Sequence, residues 1–181
     1  MMKATGFARL DAAINGFDDR TTAVLYGPPG TGKTAFCLSF LWQGLESGEI
    51  VAMVTAQKPG ELLQVAGQHG WDLKPHLHSK RLRIFEYPEE IEETAAAAAD
   101  PAQSIAEFRE LLGGTQMGRV VFDPITPLME VKGRVSIQRC RGVLHPITRL
   151  GFATLVVVDE RKADQVMPYC KDLTGCVLRF A

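Results

Sequence analysis

Residues 22–47 read TAVLYGPPGTGKTAFCLSFLWQGLES, and the order of residue types in that stretch decides the fold. Thr22 to Tyr26 is a short apolar run that stops at Gly27, the pattern of a buried strand entering a turn. Gly27-Pro28-Pro29-Gly30-Thr31-Gly32-Lys33-Thr34 follows and matches G-x-x-x-x-G-K-[ST] in full. Lys33 to Ser47 then carries Phe36, Phe40 and Leu41 on one face at helical spacing, and Gly48 ends the helix. A glycine-rich loop directly after a strand and directly before a helix is a phosphate cradle. The glycines let backbone N–H groups curl around an anion without a Cβ in the way. The helix N-terminus adds partial positive charge. Lys33 is placed to reach the β- and γ-phosphates, and Thr34 to ligate Mg²⁺. The expected ligand is ATP with Mg²⁺, held by Gly27, Pro28, Pro29, Gly30, Thr31, Gly32, Lys33 and Thr34.

Working outward, strands and helices alternate. Upstream, Gly6 to Phe17 places Phe7, Leu10, Ala13 and Ile14 at helical spacing. Downstream, Ile50 to Thr55 reads as a second buried strand, Glu61 to His69 as a helix closed by Gly70, and Leu82 to Phe85 as a third strand. Tyr87 to Asp100 opens acidic and runs into Ala95 to Ala99, a solvated segment with helical leanings. Pro101 suits the first turn of a helix reaching Leu112, closed by Gly113-Gly114. Arg119 to Phe122 is a fourth strand ending at Asp123, and Pro124 to Arg134 a loop. Val135 to Leu150 is a helix that Pro146 is expected to bend. Ala153 to Val158 is a β-branched fifth strand ending at Asp159, and Cys176 to Phe180 the last.

This alternation implies an α/β fold: a mostly parallel sheet with helices on both faces, in one domain covering residues 1–181. Ligands of such sheets sit at the carboxyl ends of the strands. The glycine loop, Thr55, Asp123 and Asp159 all fall at those ends and should converge. Asp123, after Val120-Val121-Phe122, is placed to orient Mg²⁺ through its water shell. The competing reading makes it a loop cap before Pro124.

The bulk properties narrow the function classes. The chain is 46% hydrophobic and 23% charged with a formal net charge of −1, so no global field draws it to nucleic acid or an anionic membrane. Cys37, Cys140, Cys170 and Cys176 form no C-x-x-C pair and read as reduced thiols, with Cys37 in the core. No signal segment or membrane-length apolar run is evident, so the expected location is cytoplasmic, without a membrane span.

At this point the sequence resembles the RecA superfamily of P-loop ATPases, and within it the KaiC-like branch. The resemblance runs from about Gly6 to Phe180. It rests on Leu10-Asp11 and Gly16 upstream, the loop and first helix GPPGTGKTAFCLSFLWQGLESGE, Val54-Thr55 followed by Pro59-Gly60-Glu61-Leu62, the turn Gly70-Trp71-Asp72-Leu73, and Val120-Val121-Phe122-Asp123. The Gly-Trp-Asp-Leu turn narrows it beyond a generic phosphate loop. The resemblance implies a RecA-like core, ATP binding, and ring-shaped homo-oligomers with nucleotide between subunits.

Two departures matter. The family usually carries paired glutamates just after the second strand, one of which polarises the attacking water. Here that place reads Ala56-Gln57-Lys58. Glutamine orients a water but cannot take its proton, and losing a general base costs about 10²–10⁴ in rate. The family also continues into further strands whose basic residues reach a neighbour's nucleotide, whereas this sequence stops at Ala181. Ground-state binding is untouched by either change. The catalytic candidates are therefore Lys33, Gln57 and Asp159, with Glu160 and Glu61 as further acids near the same sheet edge.

The expected function is a Mg²⁺–ATP-binding regulatory or assembly module with slow hydrolysis or none, partnered by nucleotide and by copies of itself or another protein. Two alternatives stay open. One is a working KaiC-like ATPase, perhaps an autokinase, with Asp159 or Glu61 as base. The other is a DNA-recombination accessory using Lys132, Arg134, Arg139 and Arg141, although no aromatic residues interleave them and nucleic acid is the less favoured partner. His76 and His78 read as a surface loop, and His145 as packing beside Pro146.

Overall fold

A computed structural model describes residues 2–86 and 117–181. The acidic and alanine-rich segment and the helix expected to follow it lie outside the described residues. The elements run β1 (Met2–Lys3), α1 (Ala8–Ile14), β2 (Phe17–Asp18), β3 (Thr22–Gly27), α2 (Lys33–Glu46), β4 (Ile50–Thr55), α3 (Pro59–Gln68), α4 (Lys74–His78) and β5 (Leu82–Glu86). After the break come β6 (Met117–Asp123), α5 (Thr126–Met129), β7 (Glu130–Val131), β8 (Arg134–Val135), α6 (Ile137–Ile147), β9 (Ala153–Asp159), a 3₁₀ turn (Glu160–Lys162), α7 (Ala163–Leu173) and β10 (Cys176–Arg179).

Six strands form one sheet in the order β10-β3-β9-β6-β4-β5. Every neighbouring pair in it is parallel. Alternation along each strand splits the core into two layers. Ala23, Leu25, Val51, Met53, Leu155 and Val157 pack with Phe36, Phe40, Leu41 and Leu45 of α2. Val24, Ala52, Val120, Phe122 and Val156 pack with Val143, Leu144 and Ile147 of α6 and Val166 of α7. Each fully buried Leu, Phe or Val contributes roughly 1.5–3 kcal/mol of transfer free energy. No described helix is long and apolar enough to cross a membrane.

The parallel register carries the sequence pattern to one edge. Gly27 stands level with Asp159, and Thr55 level with Asp123. The four strand ends therefore meet at the carboxyl side of the sheet, as parallel strand topology dictates.

At the opposite end of β6, Arg119 is 2% exposed and fully partnered. It donates to Glu49, to the carbonyls of Ala4 and Phe40, and lies over the Phe40 ring at 4.7 Å. Lys3 joins the same glutamate at 2.9 Å. A buried guanidinium is tolerated only when satisfied in this way. The network fastens the N-terminal segment to the back of the sheet.

The structure differs from the sequence reading in several places. The N-terminal helix is shorter, and Phe17–Asp18 instead pairs antiparallel with Met2–Lys3. The stretch read as a loop from Pro124 to Arg134 contains α5 and one strand of the β7–β8 hairpin. The helix read as Val135 to Leu150 is shorter: α6 ends at Ile147, one residue after Pro146. His76 and His78 lie on the short helix α4, with His76 edge-on to Trp42. Helix α7 has no counterpart in the sequence reading; Pro168 interrupts the pattern that Val166, Met167 and Cys170 would otherwise show.

Candidate phosphate-binding site

The loop between β3 and α2 is shaped by residues that only its sequence supplies. Gly30 and Gly32 sit at φ 81° and 84°, a left-handed region that side chains with a Cβ rarely adopt. Gly27 is required for a second reason: a Cβ there would lie 2.3 Å from the Phe180 carbonyl oxygen. Thr31 stiffens the loop by donating its hydroxyl to the Pro28 carbonyl at 2.8 Å. Lys33 folds back over the loop and donates to the carbonyls of Gly27 (2.7 Å) and Pro28 (2.6 Å). Its ammonium is thereby held at the mouth of the glycine turn.

Thr34 opens α2 and links three elements through one hydroxyl. It donates to Asp123 Oδ2 at 2.9 Å and accepts from Gln57 Nε2 at 3.3 Å. Gln57 is itself aimed by a turn after β4, in which its backbone N–H donates to the Thr55 hydroxyl at 3.0 Å. Asp123 is 5% exposed. Burial pushes its carboxyl above the usual range, opposed by the Thr34 hydrogen bond and the Lys33 charge. A buried carboxylate beside a helix-start threonine hydroxyl is an oxygen donor set suited to a hard divalent cation such as Mg²⁺.

Asp159 occupies the same edge in a different environment. Its backbone N–H donates to the Thr126 hydroxyl at 2.9 Å. Its carboxylate accepts from the Arg161 backbone N–H (2.9 Å) and from the Arg161 guanidinium at Nη2 (2.9 Å) and Nε (3.3 Å). The Arg161 hydrogen bonds hold that carboxyl below the ordinary range, with further help from the Arg161 and Lys162 charges. A carboxylate held this way is a weak proton acceptor at neutral pH.

Gly27, Pro29, Gly30, Gly32, Lys33 and Thr34 line one open cavity of about 470 Å³ together with Gln57, Asp123, Asp159, Glu160 and Arg161. That volume lies in the range of small-molecule sites. The residues singled out as catalytic, phosphate-binding or metal-binding thus converge, with Pro28 and Thr31 serving the loop's own geometry. Glu61 is exposed and lies outside this lining. Of the basic group, Lys132 and Arg134 sit on the β7–β8 hairpin, while Arg139 and Arg141 sit on α6 with Arg139 half-buried. Cys37 is fully buried, and burial pushes its thiol well above the usual range. Arg161 was missed by the sequence reading. Two residues beyond a strand-end aspartate, it reads as an ordinary solvated charge.

Comparison with known proteins bears on the family and the fold. Residues 3–169 match the family described as "ATPase: KaiC". A UPF0273 protein of Methanopyrus kandleri is 27% identical over 85% of this chain and 65% of its own length. A UPF0273 protein of Thermotoga maritima is 30% identical over 84% of the chain and 67% of its own length. The circadian clock oscillator protein KaiC of Prochlorococcus marinus is 28% identical over 84% of the chain, which spans 33% of that protein. A KaiC-like protein of Pyrococcus horikoshii superposes with a TM-score of 0.78 at 20% identity, covering 99% of this chain and 81% of that one. The flagellar accessory protein FlaH of Methanocaldococcus jannaschii gives the same TM-score at 15% identity, covering 99% and 80%. Both structures share the fold: a RecA-like parallel sheet flanked by helices.

Proposed function

The chain belongs to the KaiC ATPase family, and from that premise we propose that it binds Mg²⁺–ATP as a regulatory or assembly module with slow turnover. Family membership implies nucleotide binding. The finer reading rests on one observation: the Thr34 hydroxyl stands between the buried Asp123 carboxylate and the Gln57 amide, beside the Lys33 ammonium. Thr34 and Asp123 are the residues that would hold Mg²⁺, which when bound neutralises charge on the phosphates. Lys33 exchanges the loop carbonyls for β- and γ-phosphate oxygens, a stronger, doubly charged hydrogen bond. The backbone N–H groups of Gly30 to Thr34 complete the cradle.

Gln57 occupies the place where the resemblance expects a water-activating carboxylate. An amide hydrogen-bonds and orients water but accepts no proton at neutral pH. Asp159, an alternative base lining the same cavity, is committed to the Arg161 guanidinium and backbone N–H. Binding energy is therefore expressed in the ground state, where it shifts conformation or assembly rather than rate. The relatives named as clock oscillators support a control role of this kind. A second copy of the chain is the proposed partner, brought together across the nucleotide.

The test is sedimentation of the chain with and without Mg²⁺–ATP, with the Lys33→Ala variant as control. A nucleotide-dependent change in mass that Lys33→Ala abolishes is the expected result. Phosphate release at many turnovers per minute, abolished by the same substitution, would contradict the slow-turnover part.

A further inference from the structure

The cavity wall holds a cation that phosphate-loop chemistry does not require. Lys33 and Arg161 face three carboxylates there: Asp123, Asp159 and Glu160. Glu160 has its own counter-charge, Arg179, at 3.7 Å. Arg161 is paired with Asp159, yet its side chain is 84% exposed, so it moves without a desolvation cost. Its anchor is local: the 3₁₀ turn Glu160–Lys162 is capped by Asp159 through the Arg161 backbone N–H, independently of the guanidinium. The turn therefore keeps its shape when the guanidinium leaves.

We propose that Arg161 is a terminal-phosphate reader supplied from the chain's own β9 turn, with Asp159 as the partner that holds it when no triphosphate competes. The inference rests on the nucleotide reading of the loop. An exposed Arg–carboxylate pair is weak. Terminal phosphate oxygens offer the same fork a more highly charged, bidentate acceptor. The γ-phosphate of a nucleotide seated on the Gly30–Thr34 cradle extends toward the Thr34, Gln57 and Asp123 side of the one cavity that Asp159 and Arg161 also line. A diphosphate stops short of that side. Arg161 thus distinguishes ATP from ADP, while the Asp159 carboxylate keeps the Arg161 backbone N–H when the guanidinium transfers. The adjoining Lys162 binds Glu130 (3.2 Å) and the Gly133 carbonyl (2.7 Å), so the turn that senses the phosphate also braces the β7–β8 hairpin.

The experiment is calorimetric titration of the full chain with Mg²⁺–ATP and Mg²⁺–ADP, comparing wild type, Arg161→Ala and Asp159→Asn. Arg161→Ala should weaken ATP by about tenfold or more, the loss of a charge-assisted pair, and ADP by less than about twofold. Asp159→Asn, which keeps an acceptor for the turn but loses the charge that competes for Arg161, should tighten ATP a few-fold and leave ADP unchanged. An ATP-to-ADP affinity ratio that equals wild type in either folded variant overturns the proposal. So does an equal loss of both ligands in Arg161→Ala. A wild-type chain that binds neither nucleotide overturns the loop reading and this one together, whereas binding with an unaltered ratio overturns only the role of Arg161.

Discussion

Asp123 and Asp159 end neighbouring strands of one sheet, each after a run of apolar residues, and in sequence they look alike. Their surroundings differ. Asp123 is buried against the Thr34 hydroxyl, and burial raises its carboxyl above the usual range. Asp159 is more open, and the Arg161 hydrogen bonds lower its carboxyl below it. One carboxylate is strained in its charged form and gains by meeting a cation such as Mg²⁺. The other already has its cation. The position at the strand end brings both to the site, and the next residues assign the role: Pro124-Ile125 lead Asp123 under α5, whereas Glu160-Arg161 supply Asp159 with its own guanidinium.

The comparison can be broken most strongly by adding a third carboxylate. Gln57→Glu should place one beside Thr34, where Gln57 now presents an amide, and phosphate release should rise by about 10²-fold over wild type. A variant that binds ATP but shows no gain would mean that Gln57 does not face the attacking water.

Exchanging the two aspartates for amides comes next. Asp123→Asn should reduce Mg²⁺-dependent nucleotide affinity by at least about tenfold, while Asp159→Asn leaves the Mg²⁺ dependence unchanged. The same Asp123→Asn protein, without ligand, should melt higher by about 2–4 °C, the equivalent of ~1 kcal/mol, because a buried charge is removed. Equal Mg²⁺ dependence in both variants would erase the distinction.

The loop geometry offers a smaller effect on binding but a clear one on stability. Gly27→Ala should destabilise the chain by roughly 2 kcal/mol in a denaturant titration, since the new methyl meets the backbone of Phe180 rather than a movable side chain.

The smallest effect is in acid. Asp159 has a lowered carboxyl, so its contribution to stability is present above the unfolded value of about 4 and is lost as pH falls through the folded value. Asp123 has a raised carboxyl, so its contribution has the opposite sign: full below the unfolded value and lost as pH rises through the folded one. Melting temperatures followed from about pH 6 to about pH 3 should fall less steeply for Asp159→Asn than for wild type, and more steeply for Asp123→Asn.

Much of this was legible in the sequence. Gly27 to Thr34 carries its own flanks, so strand, cradle and helix follow from residue order. Asp123 stands out because three apolar residues, Val120, Val121 and Phe122, precede it and a phosphate loop needs a Mg²⁺ partner. Other features depend on contacts between distant segments. Arg119 looks like a surface charge at a strand start, and only the approach of Glu49, Ala4 and Phe40 makes it a core residue. Helix α7 hides behind Pro168, and the β7–β8 hairpin has two-residue strands too short to show a period. The division between Asp123 and Asp159 was invisible for the same reason, because it is set by Thr34, 89 positions away from Asp123, and by a guanidinium that no motif flags.

The central claim is that this site binds Mg²⁺–ATP firmly and turns it over slowly. The direct measurement is a Mg²⁺–ATP titration with phosphate release followed on the same sample, for wild type and Lys33→Ala. The account predicts saturable binding that Lys33→Ala abolishes, with phosphate release at or near the rate of the Lys33→Ala control. Rapid release by wild type, or nucleotide binding that survives Lys33→Ala, would contradict it.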